Sequence, residues 1–266
     1  MFFADNISSN EVIASFYRTS NDRTYLWYDD PGAGFRVWED INNSNDFEAT
    51  TSFTPADVTW YHIAWTIDGT DWKIYINGVE QGSTSDSLTM SDIGDGFTTV
   101  IGERWNGSQG DRTWNGVLDE VRISDIARSP DWLLTQYNNQ FSPGTFYTVG
   151  PNEEFADWYD GSWQYRKTIA ISNAQVPEYQ TDFPVLINFT DSNLRDFADA
   201  DGGDIVFTSS NGRTQLDHEI EYYDTSDGTL VAWVKVPNLY AFSDTTLYMY
   251  YGHNVIGNQE NPTGVD

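Results

Sequence analysis

Two carboxylates lie one residue apart in the segment Glu219-Ile220-Glu221, which continues as Tyr222-Tyr223-Asp224. Alternation along a β-strand would place Glu219 and Glu221 on the same face of a sheet. Retaining glycosidases use two carboxyl groups about 5 Å apart, one as the nucleophile and one as the acid and base. The spacing makes this pair the candidate for catalysis, by hydrolysis of a glycosidic bond.

The composition argues against that interpretation, because 41 of the 266 residues are Asp or Glu. In so acidic a chain, close pairs of carboxylates arise by chance. The sequence also lacks a Ser-His-Asp signature, a phosphate-binding glycine loop and histidines at metal-ligand spacing. We therefore expect no catalytic residues and a non-enzymatic protein, with a glycoside hydrolase as the alternative.

Tryptophan next to asparagine suggests a different chemistry, the binding of carbohydrate. The chain has the two segments Trp105-Asn106-Gly107 and Trp114-Asn115-Gly116. Aromatic rings stack on sugar rings, and amide groups form hydrogen bonds with hydroxyl groups. Trp105, Asn106, Trp114 and Asn115 are therefore candidate ligand-binding residues. The competing interpretation is that these tryptophans belong to the core or to hairpins.

The elements that must position these residues are β-strands, because large side chains alternate with a period of two. Aromatic and β-branched residues dominate the runs, as is typical of strands. The clearest runs cover residues 60–67, 73–76, 168–171 and 230–236. The sequence therefore predicts an all-β protein.

Turns and helix caps divide the runs. Preferred hairpin pairs occur at Asp68-Gly69, Asn77-Gly78, Asn211-Gly212 and Asp227-Gly228. Ser129 and Pro130 predict a short helix over residues 129–137, because serine caps a helix and proline suits its first turn. Residues 191–197 predict a second short helix.

The charge of the chain is strongly negative, with a formal net value of −28. Residues 1–150 contain 22 acidic and 8 basic side chains, and residues 151–266 contain 19 and 5, so the excess is even. Such a surface repels nucleic acid, which we exclude as a partner. An even coat of acids fits either a high-salt habitat or a secreted protein whose acids serve solubility and calcium.

The sequence lacks two features, a long apolar run and cysteine. No apolar run is long enough to span a bilayer, so we expect no membrane span here. Cysteine is absent, which excludes disulfide frameworks and thiolate zinc sites.

The first half contains blocks at residues 60–69, 72–79, 101–102 and 116–123, the last followed by residues 127–129. In this order the blocks resemble the laminin-G-like family of concanavalin A-like jelly rolls. The resemblance implies a two-sheet sandwich over residues 1–148 that serves adhesion or the binding of glycans or proteins. Family members usually have further strands before the equivalent of Phe2, so we expect this domain to lack its first strands.

Asp119 is a metal candidate by a related resemblance. The segment Asp119-Glu120-Val121-Arg122 looks like a late strand of β-glucanase jelly rolls, in which an Asp ligates a structural Ca²⁺. Carboxylate and carbonyl oxygens suit calcium. The alternative is that Asp119 or Glu120 pairs with Arg122 or caps the strand.

The second half resembles DUF2341, a family of unknown function found in large secreted or surface proteins of archaea and bacteria. The matching blocks lie at residues 161–171, 182–187, 203–208, 216–221, 232–237 and 248–252. We expect this β-sandwich domain to cover residues 161–266, including a C-terminal linker, after an inter-domain linker at residues 149–160. Family members are commonly followed by a laminin-G-like domain, so we expect a longer multi-module parent chain.

Together these features predict two tandem β-sandwich modules of jelly-roll type with at most one or two short helices. The expected function is adhesion or carbohydrate binding at the cell surface or outside the cell, with glycans or surface proteins as partners. The structural alternative is a spacer or filament subunit that exchanges strands with neighbouring copies or modules. Glu219 and Glu221 lie outside the jelly roll, which weakens the hydrolase alternative further.

Overall fold

The computed structural model describes residues 1–4, 10–29, 34–41, 44–85, 89–107, 110–154, 159–253 and 257–265. Its internal contacts divide the chain into two compact units, Met1–Leu133 and Leu134–Asp266. Antiparallel strands are the main regular elements of both units, which confirms the prediction of an all-β protein with β-sandwich modules.

The first unit contains thirteen strands within the part of the chain that the structure describes. They are β1 (Phe2–Ala4), β2 (Glu11–Thr19), β3 (Asp22–Tyr28), β4 (Phe35–Ile41), β5 (Ser44–Thr50), β6 (Thr59–Tyr61), β7 (Ile63–Asp68), β8 (Asp71–Ile76), β9 (Val79–Ser85), β10 (Thr98–Ile101), β11 (Arg104–Trp105), β12 (Gly110–Asp111) and β13 (Gly116–Leu118). The main sheet has the order β10-β2-β3-β4-β5. Smaller sheets have the orders β13-β1-β6, β7-β8-β9 and β11-β12.

Side chains from three sheets share the core of the first unit. Phe2 of β1, Leu26 of β3, Phe35 of β4 and Trp72 of β8 are buried in one cluster. On β3 and β4 the buried apolar residues alternate with residues that point away from this core. The main sheet therefore has one face in the core and a second face that carries other chemistry.

Turn chemistry fixes the β8–β9 hairpin. Asn77 and Gly78 connect the strands with φ values of 52° and 75°, which is the left-handed region that a type I′ turn requires. The Asn-Gly pair was predicted as a hairpin turn from the sequence, and the structure confirms it.

The second unit contains two antiparallel sheets. Its strands are β14 (Tyr147–Val149), β15 (Glu153–Glu154), β16 (Tyr165–Ile171), β17 (Gln180–Thr190), β18 (Val206–Ser209), β19 (His218–Asp224), β20 (Thr229–Leu239) and β21 (Thr245–Tyr251). One sheet has the order β14-β16-β21-β18, with β15 also paired to β16, and the other has the order β17-β20-β19. Residues Phe183, Val185 and Ile187 alternate along β17 and are fully buried, as one face of a sandwich requires.

Helices are short in both units. They are α1 (Met90–Ile93), α2 (Pro130–Phe141), α3 (Pro143–Phe146) and α4 (Ser192–Phe197), with 3₁₀ turns at Asn173–Gln175 and Pro262–Gly264. The two predicted helices correspond to α2 and α4. At α2 the Ser129 hydroxyl oxygen accepts the Trp132 N–H at 3.1 Å. The single-turn helices α1 and α3 were not predicted, because four residues carry no measurable periodicity.

The division between the units lies between Leu133 and Leu134, before the linker expected at residues 149–160. The second half of α2 belongs to the second unit because Asn138 Nδ2 donates to the Gln175 carbonyl at 2.9 Å. β14 and β15, which cover part of the expected linker, pair with β16. Residues 155–158 of that linker lie outside the described residues.

The outer edge of β17 is covered by two side chains that mimic a neighbouring strand. Asn139 donates to the Leu186 carbonyl at 3.0 Å and accepts its N–H at 2.7 Å. The Tyr147 hydroxyl likewise donates to the Asn188 carbonyl at 2.8 Å and accepts its N–H at 2.6 Å. An unpaired strand edge is a site for unwanted pairing, and these bonds protect it.

Candidate functional site

The second face of the main sheet carries aromatic rings and arginines in direct cross-strand pairs. The register pairs Arg23 with Asp40, Tyr25 with Trp38, and Trp27 with Arg36 across β3 and β4. Residues directly opposite each other on antiparallel strands have side chains on the same face. We call this group of six residues the aromatic–arginine face, in which Tyr25 and Asp40 are buried and the other four side chains are partly exposed.

Contacts within the face hold these side chains in place. The Tyr25 and Trp38 ring centroids are 4.8 Å apart, and the Arg23 guanidinium lies 5.3 Å from the Trp38 ring centroid. Arg23 also forms an ion pair of 3.2 Å with Asp40, in which both side chains are largely buried. Cation–π stacking and the ion pair together orient the guanidinium group.

Two further arginines extend the face from the segment after β10. Arg104 forms two hydrogen bonds with Asp111 across the β11–β12 pair, one of them from Nε at 2.7 Å. The Arg112 guanidinium lies 4.9 Å from the Trp27 ring centroid and donates to Asn10 Oδ1 at 3.0 Å. Four of the chain's 10 Arg thus lie on or beside this face, and three of them form ion pairs: Arg23 with Asp40, Arg36 with Asp29, and Arg104 with Asp111.

The pKa shifts follow from these contacts. The hydrogen bonds from the Arg104 guanidinium lower the pKa of the Asp111 carboxyl below its usual value. The same bonds raise the pKa of Arg104. Burial raises the pKa of the Tyr25 phenol. At neutral pH the face therefore presents fixed ion pairs and a neutral phenol.

Three buried polar atoms of the face have no hydrogen-bond partner in the described part of the chain. They are Arg23 Nε, Trp27 Nε1 and Asp40 Oδ1. Leaving such an atom unsatisfied costs about 1–3 kcal/mol, and native structures contain few of them.

The predicted residues Trp105 and Asn106 lie beside this face. Trp105 follows Arg104 on β11, and its N–H donates to the Ser15 hydroxyl at 3.3 Å. Trp105 and Asn106 are both partly exposed. Gly107 follows with φ of 95° under the Tyr17 hydroxyl, where any side chain would collide with the phenol. This part of the sequence-based prediction lies next to the candidate site.

Trp114 and Asn115 lie elsewhere. Trp114 is 7 % exposed and packs edge-on against Phe2, with the ring centroids 5.3 Å apart. A ring packed in the core offers no face to a sugar, so the structure corrects the expectation for Trp114. Asn115 is exposed, and its N–H donates to the Glu11 carboxylate at 3.0 Å.

Asp119 is exposed just after β13. Its Oδ1 accepts the N–H of Glu120 at 2.9 Å, and Glu120 in turn lies 3.4 Å from Arg122. Nowhere in the described residues do three His, Cys, Asp or Glu side chains form a group that could hold a metal ion. A calcium ion at Asp119 would therefore need backbone carbonyls for most of its ligands, and the donor set seen here does not by itself fit a metal site.

Glu219 and Glu221 are both exposed on β19, the edge strand of its sheet. The pairing register shifts between Ile220 and Tyr222, so Glu221 lies in a β-bulge. Glu219 lies directly opposite Trp233 in this register, and the Trp233 indole also bonds to Glu221, so both carboxylates lie on the Trp233 side of the strand despite the bulge. Glu221 accepts the indole N–H of Trp233 at 3.2 Å.

A cleft of about 290 Å³ lies on the second unit. Asp182, Asp217 and Lys235 contribute to its lining, whereas neither Glu219 nor Glu221 does. The carboxylate pair singled out from the sequence is therefore not set in this cleft.

The residues of the aromatic–arginine face were not predicted from the sequence, although a signal was present. Arg23-Thr24-Tyr25-Leu26-Trp27 and Arg36-Val37-Trp38-Glu39-Asp40 both alternate polar or aromatic residues with buried ones. Such alternation predicts a second, non-core face. What the sequence could not give was the register that sets the two segments side by side.

Comparisons with known proteins separate the two halves of the chain. Residues 4–133 match the model Laminin_G_3, described as the concanavalin A-like lectin/glucanases superfamily. Residues 201–265 match DUF2341, a domain of unknown function. No curated protein matches the chain. Among the helices of the described residues, none is long and apolar enough to cross a membrane.

Two solved structures resemble about half of the chain. A heptameric SAP-like pentraxin from Limulus polyphemus is 19 % identical with a TM-score of 0.42, and the match covers 51 % of this chain and 66 % of the pentraxin. An S-layer domain-containing protein from Clostridium thermocellum (residues 221–444) is 21 % identical with a TM-score of 0.28, over 52 % of this chain and 68 % of the other. Similarity at this level carries no argument about function.

The superfamily of the first match includes lectins and glucanases, so its fold fits a carbohydrate-binding or surface module. The order of the two matches is the order expected from the sequence blocks. The chain thus carries a laminin-G-like domain of the concanavalin A-like superfamily, followed by a DUF2341 domain.

Proposed function

We propose that this chain is a non-enzymatic carbohydrate-binding module of an extracellular surface protein, and that the aromatic–arginine face is its sugar site. The observation that carries the proposal is the pairing of guanidinium groups with indole rings at Arg23–Trp38 and Arg112–Trp27. Indole rings supply apolar faces for sugar C–H groups, while guanidinium groups donate hydrogen bonds to hydroxyls.

Preorganisation supports a binding role. Arg23 and Arg104 are each held by a carboxylate, Asp40 and Asp111 respectively. Donors that are already fixed lose less side-chain entropy when a ligand binds. The rigid strands of the main sheet, rather than a loop, position most of these groups.

The electrostatics of the face disfavour glycoside hydrolysis. A glycosidase needs a general acid whose pKa is raised so that it stays protonated near neutral pH. At this face the Asp111 carboxyl has a lowered pKa because Arg104 bonds to it. The face is thus better suited to binding a sugar than to protonating a leaving group.

The test is binding on a glycan array, followed by titration calorimetry of any glycan retained. We expect Trp27→Ala and Arg112→Gln to weaken binding by about tenfold, as truncation of a central anchor does. Trp60→Ala is the matched control, because Trp60 is a partly exposed tryptophan on β6 in a different sheet. Equal affinity in the Trp27 and Trp60 variants would refute the assignment of the site.

The hydrolase alternative has its own test. Incubation of the chain with oligosaccharides should release no new reducing ends. If hydrolysis does occur, Glu219→Gln and Glu221→Gln variants show whether those carboxylates are responsible.

A second candidate function, strand exchange with neighbouring copies or modules, rests on the edge strand β13. Val117 lies on β13, and Val121, Ile123 and Ile126 follow this strand in the chain. Their apolar side chains are between 52 % and 66 % exposed. Exposed β-branched residues beside a sheet edge favour pairing with another strand. Sedimentation at rising protein and salt concentration tests it, since salt screens the repulsion of a −28 chain. If the protein sediments as a monomer under all conditions, strand exchange between copies of this chain is refuted.

A further inference from the structure

A group of exposed aromatic side chains lies at one end of the β17–β20 pair in the second unit. The last ladder pair is Gln180 with Leu239, and Tyr179 and Tyr240 face each other just beyond it. Their ring centroids are 5.7 Å apart with an angle of 38° between the rings. The two residues are 44 % and 46 % exposed, so both rings present open surface to solvent.

Phe242, two residues further along, is 97 % exposed. We call Tyr179, Tyr240 and Phe242 the aromatic end. A phenylalanine with almost its whole side chain in water loses the stabilisation that burial of an aromatic ring supplies. Clusters of exposed apolar residues on a folded unit mark binding sites more often than chance.

The loop that carries Phe242 is held by hydrogen bonds rather than left loose. The Tyr240 N–H donates to the Thr245 hydroxyl at 3.1 Å. Asn173 donates twice, from Nδ2 to the Ala241 carbonyl at 3.2 Å and from its N–H to the Asp244 carboxylate at 3.0 Å. A loop fixed on both sides of its tip presents the ring in a defined position, which lowers the entropy lost on binding.

Polar groups accompany the rings. The Tyr179 hydroxyl donates to Oδ1 of Asn238, and that asparagine is exposed on the neighbouring strand. Rings with an adjoining amide and phenol offer both an apolar face and hydrogen-bonding groups. A pyranose has the same two properties, since its C–H face is apolar and its rim carries hydroxyls.

The charge of this region selects among sugars. Glu178 and Asp244 are exposed beside the rings. Tyr179 lies in a segment without Lys or Arg between Lys167 and Arg195. Tyr240 and Phe242 lie after Lys235, and no Lys or Arg follows it. The Glu178 and Asp244 carboxylates would repel a carboxylated or sulfated glycan.

We propose that the aromatic end is a binding site for an uncharged polysaccharide, formed by Tyr179, Tyr240 and Phe242. This site lies in the DUF2341 half of the chain and is separate from the aromatic–arginine face. Either site can fail without the other, because they share no residue.

Affinity electrophoresis of the full chain tests the proposal. Native gels are cast with a neutral polysaccharide (mannan, xylan or a β-1,3-glucan), with alginate as the polyuronate, or with no polymer. The protein carries the Trp27→Ala substitution throughout, so that binding at the aromatic–arginine face is weakened equally in every sample. We expect a neutral polymer to retard the protein, and Phe242→Ala and Tyr240→Ala to weaken this retardation by about tenfold or more.

Tyr222→Ala is the matched control, because Tyr222 is 52 % exposed on β19 of the same unit. It should leave retardation unchanged. Phe242 is almost fully exposed, so its replacement leaves the fold intact, and circular dichroism verifies this. Three outcomes would each overturn the proposal. They are that no neutral polymer retards the protein, that the Phe242→Ala and Tyr222→Ala variants are retarded equally, or that alginate retards the protein more than the neutral polymers do. A Phe242-dependent change in mass by light scattering, without retardation, would instead assign the surface to protein association.

Discussion

Replacing Asp204 with Asn should destabilise the second unit strongly, because its buried carboxylate accepts three backbone N–H groups from two separate parts of the chain. Asp204 is fully buried. Its Oδ1 accepts the N–H of Asp199 at 2.9 Å, and its Oδ2 accepts those of Gly252 and His253 at 2.6 and 2.9 Å. The group joins the loop after α4 to the end of β21.

The size of the destabilisation expected for Asp204→Asn follows from the number of hydrogen bonds that the carboxylate accepts. An Asn amide keeps one acceptor oxygen, so at least one of the three N–H donors would face an NH₂ group and stay unsatisfied. An unsatisfied buried donor costs about 1–3 kcal/mol, and the remaining bonds lose their charge assistance. We expect Asp204→Asn to lower the free energy of unfolding by about 2–4 kcal/mol, which for a unit of this size lowers Tm by roughly 6–12 °C.

Urea unfolding followed by tryptophan fluorescence measures the change. Trp163 is a suitable reporter, because it is buried and its Nε1 donates to the Asp204 carbonyl at 2.8 Å. Asp201→Asn is the control, since Asp201 is exposed and accepts only the Gly203 N–H at 3.0 Å. A loss below about 1 kcal/mol for Asp204→Asn, or equal losses in both variants, would refute the reasoning.

Three further predictions concern the edge of β17, a buried histidine and calcium. Asn139→Ala should cost about 2–3 kcal/mol in urea unfolding and promote aggregation, because it uncovers both backbone groups of Leu186; unchanged stability would contradict this. Burial lowers the pKa of His218, so the unfolded chain binds the proton more readily and stability should fall as pH drops below about 6.5, less steeply in His218→Gln; equal pH slopes would argue against it. If Ca²⁺ binds at Asp119, chelation should lower Tm in the wild type but not in Asp119→Asn, and no shift would remove calcium from the account.

Local sequence signals predict individual elements of the fold. Asn77-Gly78 predicted a hairpin because two successive residues there adopt positive φ, which these residue types tolerate. Asp191 and the residues after it predicted a helix, and the Asp191 carboxylate does cap α4 by accepting the Asn193 N–H at 2.7 Å. Both features depend only on residues close in the chain.

The division between the units could not be predicted in the same way. Residues 149–160 have the composition of a linker, yet β14 and β15 pair with β16 on either side of Gly150 and Pro151. Asn139 looks like an ordinary helix residue in the sequence. Only the tertiary structure shows that it covers the edge of β17, which assigns its helix to the second unit.

The candidate site was predictable in its residue types but not in its place. Trp105 and Trp114 have the same Asn-Gly neighbours, but Trp105 lies partly exposed beside the aromatic–arginine face and Trp114 is in the core. The face itself depends on the register between β3 and β4, which sets Tyr25 opposite Trp38. At Glu221 a bulge interrupts the strand pairing, which the sequence does not reveal, although Glu219 and Glu221 both remain beside Trp233.

Binding of a glycan to the aromatic–arginine face tests the central claim most directly. The measurement is titration calorimetry of the glycan that the array retains against the wild type, Trp27→Ala, Arg112→Gln and the Trp60→Ala control. The account predicts that affinity falls about tenfold in the first two variants and stays at the wild-type value in the control. An array on which the folded chain retains no glycan, or affinities that do not depend on Trp27 and Arg112, would contradict it.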